Sequence, residues 1–186
     1  MTQEIIDHSP RRDIAGYESV FHEIKTSFIQ SAQFAGIKIN DSDILVDFIQ
    51  QSDHRPPACL PHGKLAIYVF MFGERCLKVG KAGSKSSARF CSQHYGVKAP
   101  STLAKSIIQY KQKFSAEDID EHNVKSWICQ NTYRVNYMMP NAVGPFILTL
   151  FEAFVQCCLK PEFEGFLSQK LENNLFFTKN WFNPPD

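Results

Sequence analysis

No two cysteines in this 186-residue chain are spaced as CxxC, and the six of them (positions 59, 76, 91, 129, 157 and 158) keep no regular interval. That spacing argues against a zinc site and a disulfide framework; most of these thiols sit in apolar stretches, where they are expected reduced and buried. No uninterrupted apolar run approaches the roughly 18 residues that a membrane-crossing helix needs. The opening stretch, Met1 to Arg12, is polar and lacks the apolar run of a signal peptide, so a cytoplasmic protein without membrane contact is expected. Internal repeats and low-complexity tracts are missing too, which leaves an ordinary globular chain.

Acidic residues are absent from one long window. Between Arg75 and Ala116 the chain carries nine of its 20 basic residues (Arg75, Lys78, Lys81, Lys85, Arg89, Lys98, Lys105, Lys111 and Lys113) and none of its 19 acidic ones. The formal net charge of +1 therefore conceals a polarised surface, whose natural partner is a polyanion. The plainer alternative is a solvated face whose charges pair with the Glu117–Glu121 cluster after folding.

What is plentiful is apolar and aromatic material: 44% hydrophobic residues, with 16 Phe, 6 Tyr and 2 Trp. This supports one domain with a substantial core and is too short for two comfortable ones. Ile14, Tyr17, Phe21, Ile24, Phe28 and Ala32 recur at a helical period, predicting an amphipathic helix over 14–35 closed by Gly36. Asp41 or Ser42 is placed to cap a second helix through Gln51. The segment Asp53 to Lys64, with Pro56, Pro57, Pro61 and Gly63, reads as a connector between an N-terminal helical arm (1–60) and the main domain (61–186).

The main domain opens with two β-prone runs, Leu65–Phe72 and Arg75–Gly80, joined by Gly73-Glu74, the pattern of an antiparallel hairpin. Ser86 or Ser87 caps a helix to about Tyr95. Thr102–Tyr110 fits a helix or a strand, and Asp118–Gln130 reads as helical. Over Thr132–Met138, Tyr133, Val135 and Tyr137 alternate with Arg134, Asn136 and Met138, as in a half-buried strand. Gly144-Pro145 starts an apolar helix to Leu159, and a short helix and an aromatic finish follow to Asp186. The expected class is α+β, a small antiparallel sheet of about three strands flanked by helices.

In the apolar helix only Thr149, Glu152 and Gln156 are polar, and they form one stripe. A carboxylate there is costly unless it is paired, metal-bound or at the floor of a cleft; a solvent-facing stripe is the simpler reading. Tyr68, Lys78, Lys81 and Arg89 cluster in the hairpin and the helix after it. Cations neutralise phosphate as charge builds on it, one carboxylate can hold a divalent ion, and a tyrosine among lysines can take a proton from water. Singly, each has a mundane reading: Tyr68 as a core aromatic, Lys78 as an outward strand residue, Arg89 as a surface residue.

Together, Ala66-Ile67-Tyr68, a nine-residue gap, Lys78-Val79-Gly80 and then Lys81 resemble the signature of the GIY-YIG nuclease superfamily. Arg89 follows the second half as the family's phosphate-binding Arg does, and Glu152 lies on a later helix as its metal-binding Glu does. The resemblance spans roughly 64–175 and is densest from Leu65 to Tyr95. Ala66 replaces the first motif Gly and Lys78 the second motif Tyr; some restriction endonucleases of the superfamily are similar in carrying Lys there. His94 lies near the family's His, one residue off the usual helical spacing, and the family's late Asn corresponds to Asn173 or Asn174.

The resemblance implies a metal-dependent endonuclease, a prokaryotic restriction or anti-phage defence enzyme cutting double-stranded DNA. Tyr68, Lys78, Arg89, His94 and Glu152 are its expected catalytic residues, with one Mg²⁺, replaceable by Mn²⁺, on Glu152. Lys81, Lys85, Lys98 and Lys105 are expected to bind nucleic acid, with steep salt dependence. A symmetric duplex cut would require a homodimer. The main alternative is a nucleic-acid-binding subunit of a defence or repair complex with weak or no catalysis; a basic interaction protein that binds no nucleic acid is a third.

Overall fold

The computed structural model describes residues 17–100 and 102–163. The chain is α+β. Among the described residues four strands, β1 (Leu45–Ile49), β2 (Lys64–Phe72), β3 (Arg75–Ala82) and β4 (Tyr133–Pro140), form one antiparallel sheet in the order β1-β4-β2-β3. Five helices among the described residues cover it: α1 (Glu18–Phe34), α2 (Ser87–Cys91), α3 (Leu103–Gln109), α4 (Val124–Asn131) and α5 (Gly144–Leu159).

Strand alternation sorts the core into two layers. Leu65, Ile67, Val69 and Met71 of β2, with Val135, Tyr137 and Met139 of β4, face α1 and α5. Ala66, Tyr68 and Phe70, with Leu77 and Ala82 of β3, face α2, α3 and α4. On the first side Phe28 of α1 stacks on Phe151 of α5 at 4.2 Å, and Tyr137 meets Phe151 at 4.9 Å. Burying each such ring is worth roughly 1.5–3 kcal/mol, so α1 is tied to the sheet by its Phe21, Ile24 and Phe28 face. Thus α1 and β1, both within the stretch expected as an arm, share a core and a sheet with the residues after 61.

The hairpin β2–β3 forms as its sequence suggests, with Gly73 at φ +55° in the turn. Thr102 caps α3 by accepting from the backbone N–H of Lys105 at 3.1 Å, which resolves that segment as a helix. The helix expected through Gln51 is absent. Asn40 and Asp43 do form a capping box, but it closes a single turn, Asp41–Asp43, and the chain then extends into β1. Val46 and Phe48 pack in the α1 layer and β4 satisfies the backbone, so tertiary pairing overrides the local cap. The stretch from Asp118 is likewise only partly helical, with α4 starting at Val124.

Helix α5, with the turn before it (Asn141–Leu159), is apolar enough by length and composition to cross a membrane; here it is a layer of the fold. Only Leu148, Phe151, Val155 and Leu159 are buried, while Phe146 is 87% and Leu150 47% exposed. All six cysteines are free thiols: Cys76 and Cys91 are buried, Cys59 is exposed and the others are intermediate.

Candidate active site

Register places two rows of side chains side by side on the α2–α4 face. One runs Asp47–Asn136–Tyr68–Gly80 and the next Ile49–Arg134–Phe70–Lys78. Directly opposed antiparallel residues share a face, so one substitution in a row is felt by its neighbours. A bulge between Phe70 and Met71 supplies Lys78: Phe70 pairs with Lys78 but Met71 with Cys76, which leaves Leu77 extra and turns two successive β3 side chains toward this layer.

Tyr68 is 1% exposed, and its ring occupies the space a side chain on Gly80 would take. A Cβ at Gly80 would stand 2.5 Å from Tyr68 Oη and 2.6 Å from its Cζ. The glycine is needed for this close approach, since its backbone conformation is ordinary. Tyr68 Oη lies 2.6 Å from His94 Nε2, and the backbone N–H of Leu103, the first residue of α3, donates to His94 Nδ1 at 3.4 Å. Burial first, then the charges of Lys78, Arg134 and Arg89, push the His94 imidazole down to about 3, so it is neutral at physiological pH.

The strand expected to be half-buried is buried on both faces, because helices cover both: Arg134 and Asn136 are each 1% exposed. Arg134 was not among the expected site residues. Its Nε donates to Asn136 Oδ1 (2.8 Å) and its Nη1 to the carbonyl of Phe90 (2.8 Å) and to Tyr95 Oη (3.4 Å). The guanidinium lies over Phe90 at 4.4 Å and over Tyr68 and Phe70 at 5.2 Å, while its buried Nη2 has no partner among the described residues. Among the described residues, the carboxylate linked to it is Asp47, through an intermediary: Asn136 Nδ2 donates to Asp47 Oδ2 at 3.0 Å. Aromatic faces offset part of the cost of burying this charge.

His54, from the segment read as a connector, completes the layer. Its Nδ1–H donates to the carbonyl of Thr132 (2.8 Å), and its Nε2 accepts from Tyr95 Oη at 2.8 Å. Burial, with Arg134 adding in the same direction, lowers it to about 4 against the Thr132 hydrogen bond, which raises it. His54, Arg134 and Asn136 left no separate sequence signal. They became legible only through the helical cover on both sides of the sheet.

The expected site residues divide between the two faces. Tyr68, Lys78 and His94 are brought together in the α2–α4 layer, with Lys78 Nζ also donating to the carbonyl of Phe163 at 2.9 Å. Arg89 is exposed on α2, near enough to act on the charge of His94. Lys81 and Glu152 belong to the α5 side and pair at 2.6 Å, with side chains 31% and 17% exposed. Lys81 is therefore engaged by a carboxylate, whereas Lys85, Lys98 and Lys105 are exposed and, among the described residues, have no carboxylate partner. Nor do the carboxylates of Glu117–Glu121 take up the basic window; Arg75 and Lys113 pair with Glu162 instead. Asn173 and Asn174 lie outside the described residues.

Among the described residues, no three His, Cys, Asp or Glu side chains gather as a metal cluster. Glu152 is a lone carboxylate, which fits a Mg²⁺ whose remaining ligands are water and substrate phosphate and does not fit a cage built by the protein. Comparison with family models, with curated proteins and with solved structures gives no match for the chain.

Proposed function

We propose that this chain is a metal-dependent endonuclease of the GIY-YIG type that hydrolyses DNA phosphodiester bonds, acting in the cytoplasm in restriction or antiviral defence. The observation that supports it most is the set of charges around the Tyr68–His94 pair: the charges acting on His94 come from Lys78, Arg134 and Arg89, all cationic. Three cations around a buried tyrosine, in a chain that also exposes Lys85, Lys98 and Lys105, suit a phosphodiester better than a neutral or cationic substrate.

In this reading Tyr68 takes the proton of the attacking water, and Lys78 and Arg89 offset the charge that builds on the phosphoryl oxygens. Lys85, Lys98 and Lys105 hold the backbone of the nucleic acid. Glu152 sits across β3, an edge strand, so a backbone laid along that edge can meet both faces. Mg²⁺ or Mn²⁺ on Glu152 would stabilise the departing 3′ oxygen. A symmetric cut through both strands would require two such sites, which a homodimer would supply.

A second reading, a nucleic-acid-binding subunit with little catalysis of its own, is favoured by the 2.6 Å ion pair that occupies Glu152 and by the depth of Tyr68. One experiment separates the two. Purified protein and Glu152→Gln are incubated with supercoiled plasmid in Mg²⁺, Mn²⁺ or EDTA, and binding is measured in parallel. Metal-dependent nicking or cutting lost in the variant, with binding kept, supports the endonuclease. Tight low-salt binding without cutting by either protein supports the subunit.

A further inference from the structure

We infer that His94 is a positioning residue, a fixed hydrogen-bond donor to Tyr68 rather than the acceptor of the tyrosine's proton. The inference concerns the polarity of one 2.6 Å contact. A neutral imidazole has one N–H and one bare nitrogen, and which is which follows from whatever the other nitrogen meets. At Nδ1 the neighbour is the Leu103 backbone N–H, which can only donate. Nδ1 is therefore bare, Nε2 carries the hydrogen, and Tyr68 Oη receives it.

The charges around the ring keep it in this state. Lys78, Arg89 and Arg134 all disfavour a second proton on His94, and so does its burial. Proton transfer from Tyr68 to His94 would need Nε2 bare, which would put the ring hydrogen at Nδ1 against the Leu103 N–H. His54 provides a contrast within the same layer. There Nδ1 meets a carbonyl and Nε2 accepts from a tyrosine, so that ring adopts the other tautomer. With Nε2–H fixed on Oη, the hydroxyl hydrogen of Tyr68 is turned away from His94, and an ionised Tyr68 would keep a donor already in place.

The role in catalysis rests on the endonuclease reading, but the polarity of the contact does not. Long-range ¹H–¹⁵N correlation spectra of the full chain read the protonation of each ring nitrogen without any substrate. A protonated Nε2 and a bare Nδ1 are expected for His94; the reverse, or a doubly protonated ring at pH 7, overturns the inference. Cleavage adds a second reading. The side-chain amide of His94→Gln can donate to Tyr68 while its oxygen accepts from Leu103, yet it takes up no proton. His94→Gln should keep kcat within about tenfold of wild type, whereas His94→Phe should lose about 10- to 100-fold in kcat with little change in KM, the worth of a hydrogen bond to a charged group. Equal loss in both variants, each folded by circular dichroism, overturns the positioning role. If the wild type does not cut at all, the endonuclease reading fails, and the spectra still decide the polarity.

Discussion

His54 and His94 both pack against the ring of Phe70, at 5.9 and 5.8 Å, and hold opposite tautomers. Each is fixed by a backbone group, the carbonyl of Thr132 for one and the N–H of Leu103 for the other. Both are buried as neutral rings, lowered to about 4 and about 3 from an ordinary 6.5.

This pair makes the fold acid-labile. Below about 6.5 the unfolded chain binds protons at both histidines, while the folded protein refuses them until pH nears 4 and then 3. The stability they contribute is present above 6.5 and is lost as pH falls through that window. The slope approaches about 2.7 kcal/mol per pH unit for two groups. Urea unfolding at pH 7 and pH 5 measures it, and replacing both rings with Gln should flatten the dependence. A midpoint that does not move between these pH values would refute the burial of neutral rings.

Arg134→Met should separate charge from packing. Both histidines lose a nearby cation, so their titrations should move upward while staying below 6.5, because burial remains the larger cause. Removing a buried charge whose Nη2 has no partner among the described residues is favourable, but it strands the Phe90 carbonyl and Asn136 Oδ1. These effects are of similar size and opposite sign, and net stability should change by less than about 1.5 kcal/mol. NMR titration of the two rings checks the first claim and chemical denaturation the second.

Gly80→Ala puts a methyl group into the ring of Tyr68. The backbone is β-sheet on both sides, so the strain falls on the tyrosine. The expected cost is about 1–3 kcal/mol, with Tm falling by about 2–4 °C per kcal/mol. Because the two residues touch, Gly80→Ala combined with Tyr68→Ala should destabilise by clearly less than the sum of the single changes. Additivity would mean that the ring does not occupy the glycine's space.

Lys81→Gln frees the carboxylate of Glu152 from its 2.6 Å partner. Mn²⁺ binding, read by electron paramagnetic resonance without nucleic acid, should strengthen several-fold in this variant and disappear in Glu152→Gln. Unchanged affinity in both would remove Glu152 from the metal.

Neutralising Lys85, Lys98 and Lys105 together to Gln should flatten the salt dependence of DNA binding. The slope of log K against log salt should fall by up to about 2.7, roughly 0.9 for each phosphate no longer neutralised. Fluorescence anisotropy at several salt concentrations measures it, and an unaltered slope would remove these three lysines from the proposed nucleic-acid contact.

The hairpin and α5 were legible because their signals are local: Gly73 turns the chain at positive φ, and Pro145 stands in the first turn of α5. β1 was not. Its five residues follow a genuine capping box, and only β4, far along the chain, makes an extended conformation favourable there. Arg134 and Asn136 alternate with apolar residues as solvent-facing side chains do, and a strand read alone does not show that α2–α4 lies above it. In the site, Tyr68 and Lys78 were expected from the two motif halves of the hairpin, and His94 only from the resemblance that those halves carry, since its helical spacing from Arg89 does not place it there. Arg134 and His54 join them through pairing across the sheet and through a loop crossing over it, relations that leave no periodicity to read.

The strand order carries a consequence for synthesis. β1 emerges from the ribosome before β2 and β3, yet its partner is β4, made after both of them. Until then the growing chain exposes the Phe21, Ile24 and Phe28 face of α1 and an unpaired β1, while the β2–β3 hairpin is free to close early. A nascent chain stalled before Tyr133 therefore displays the sticky surface that chaperones bind, and its release awaits β4.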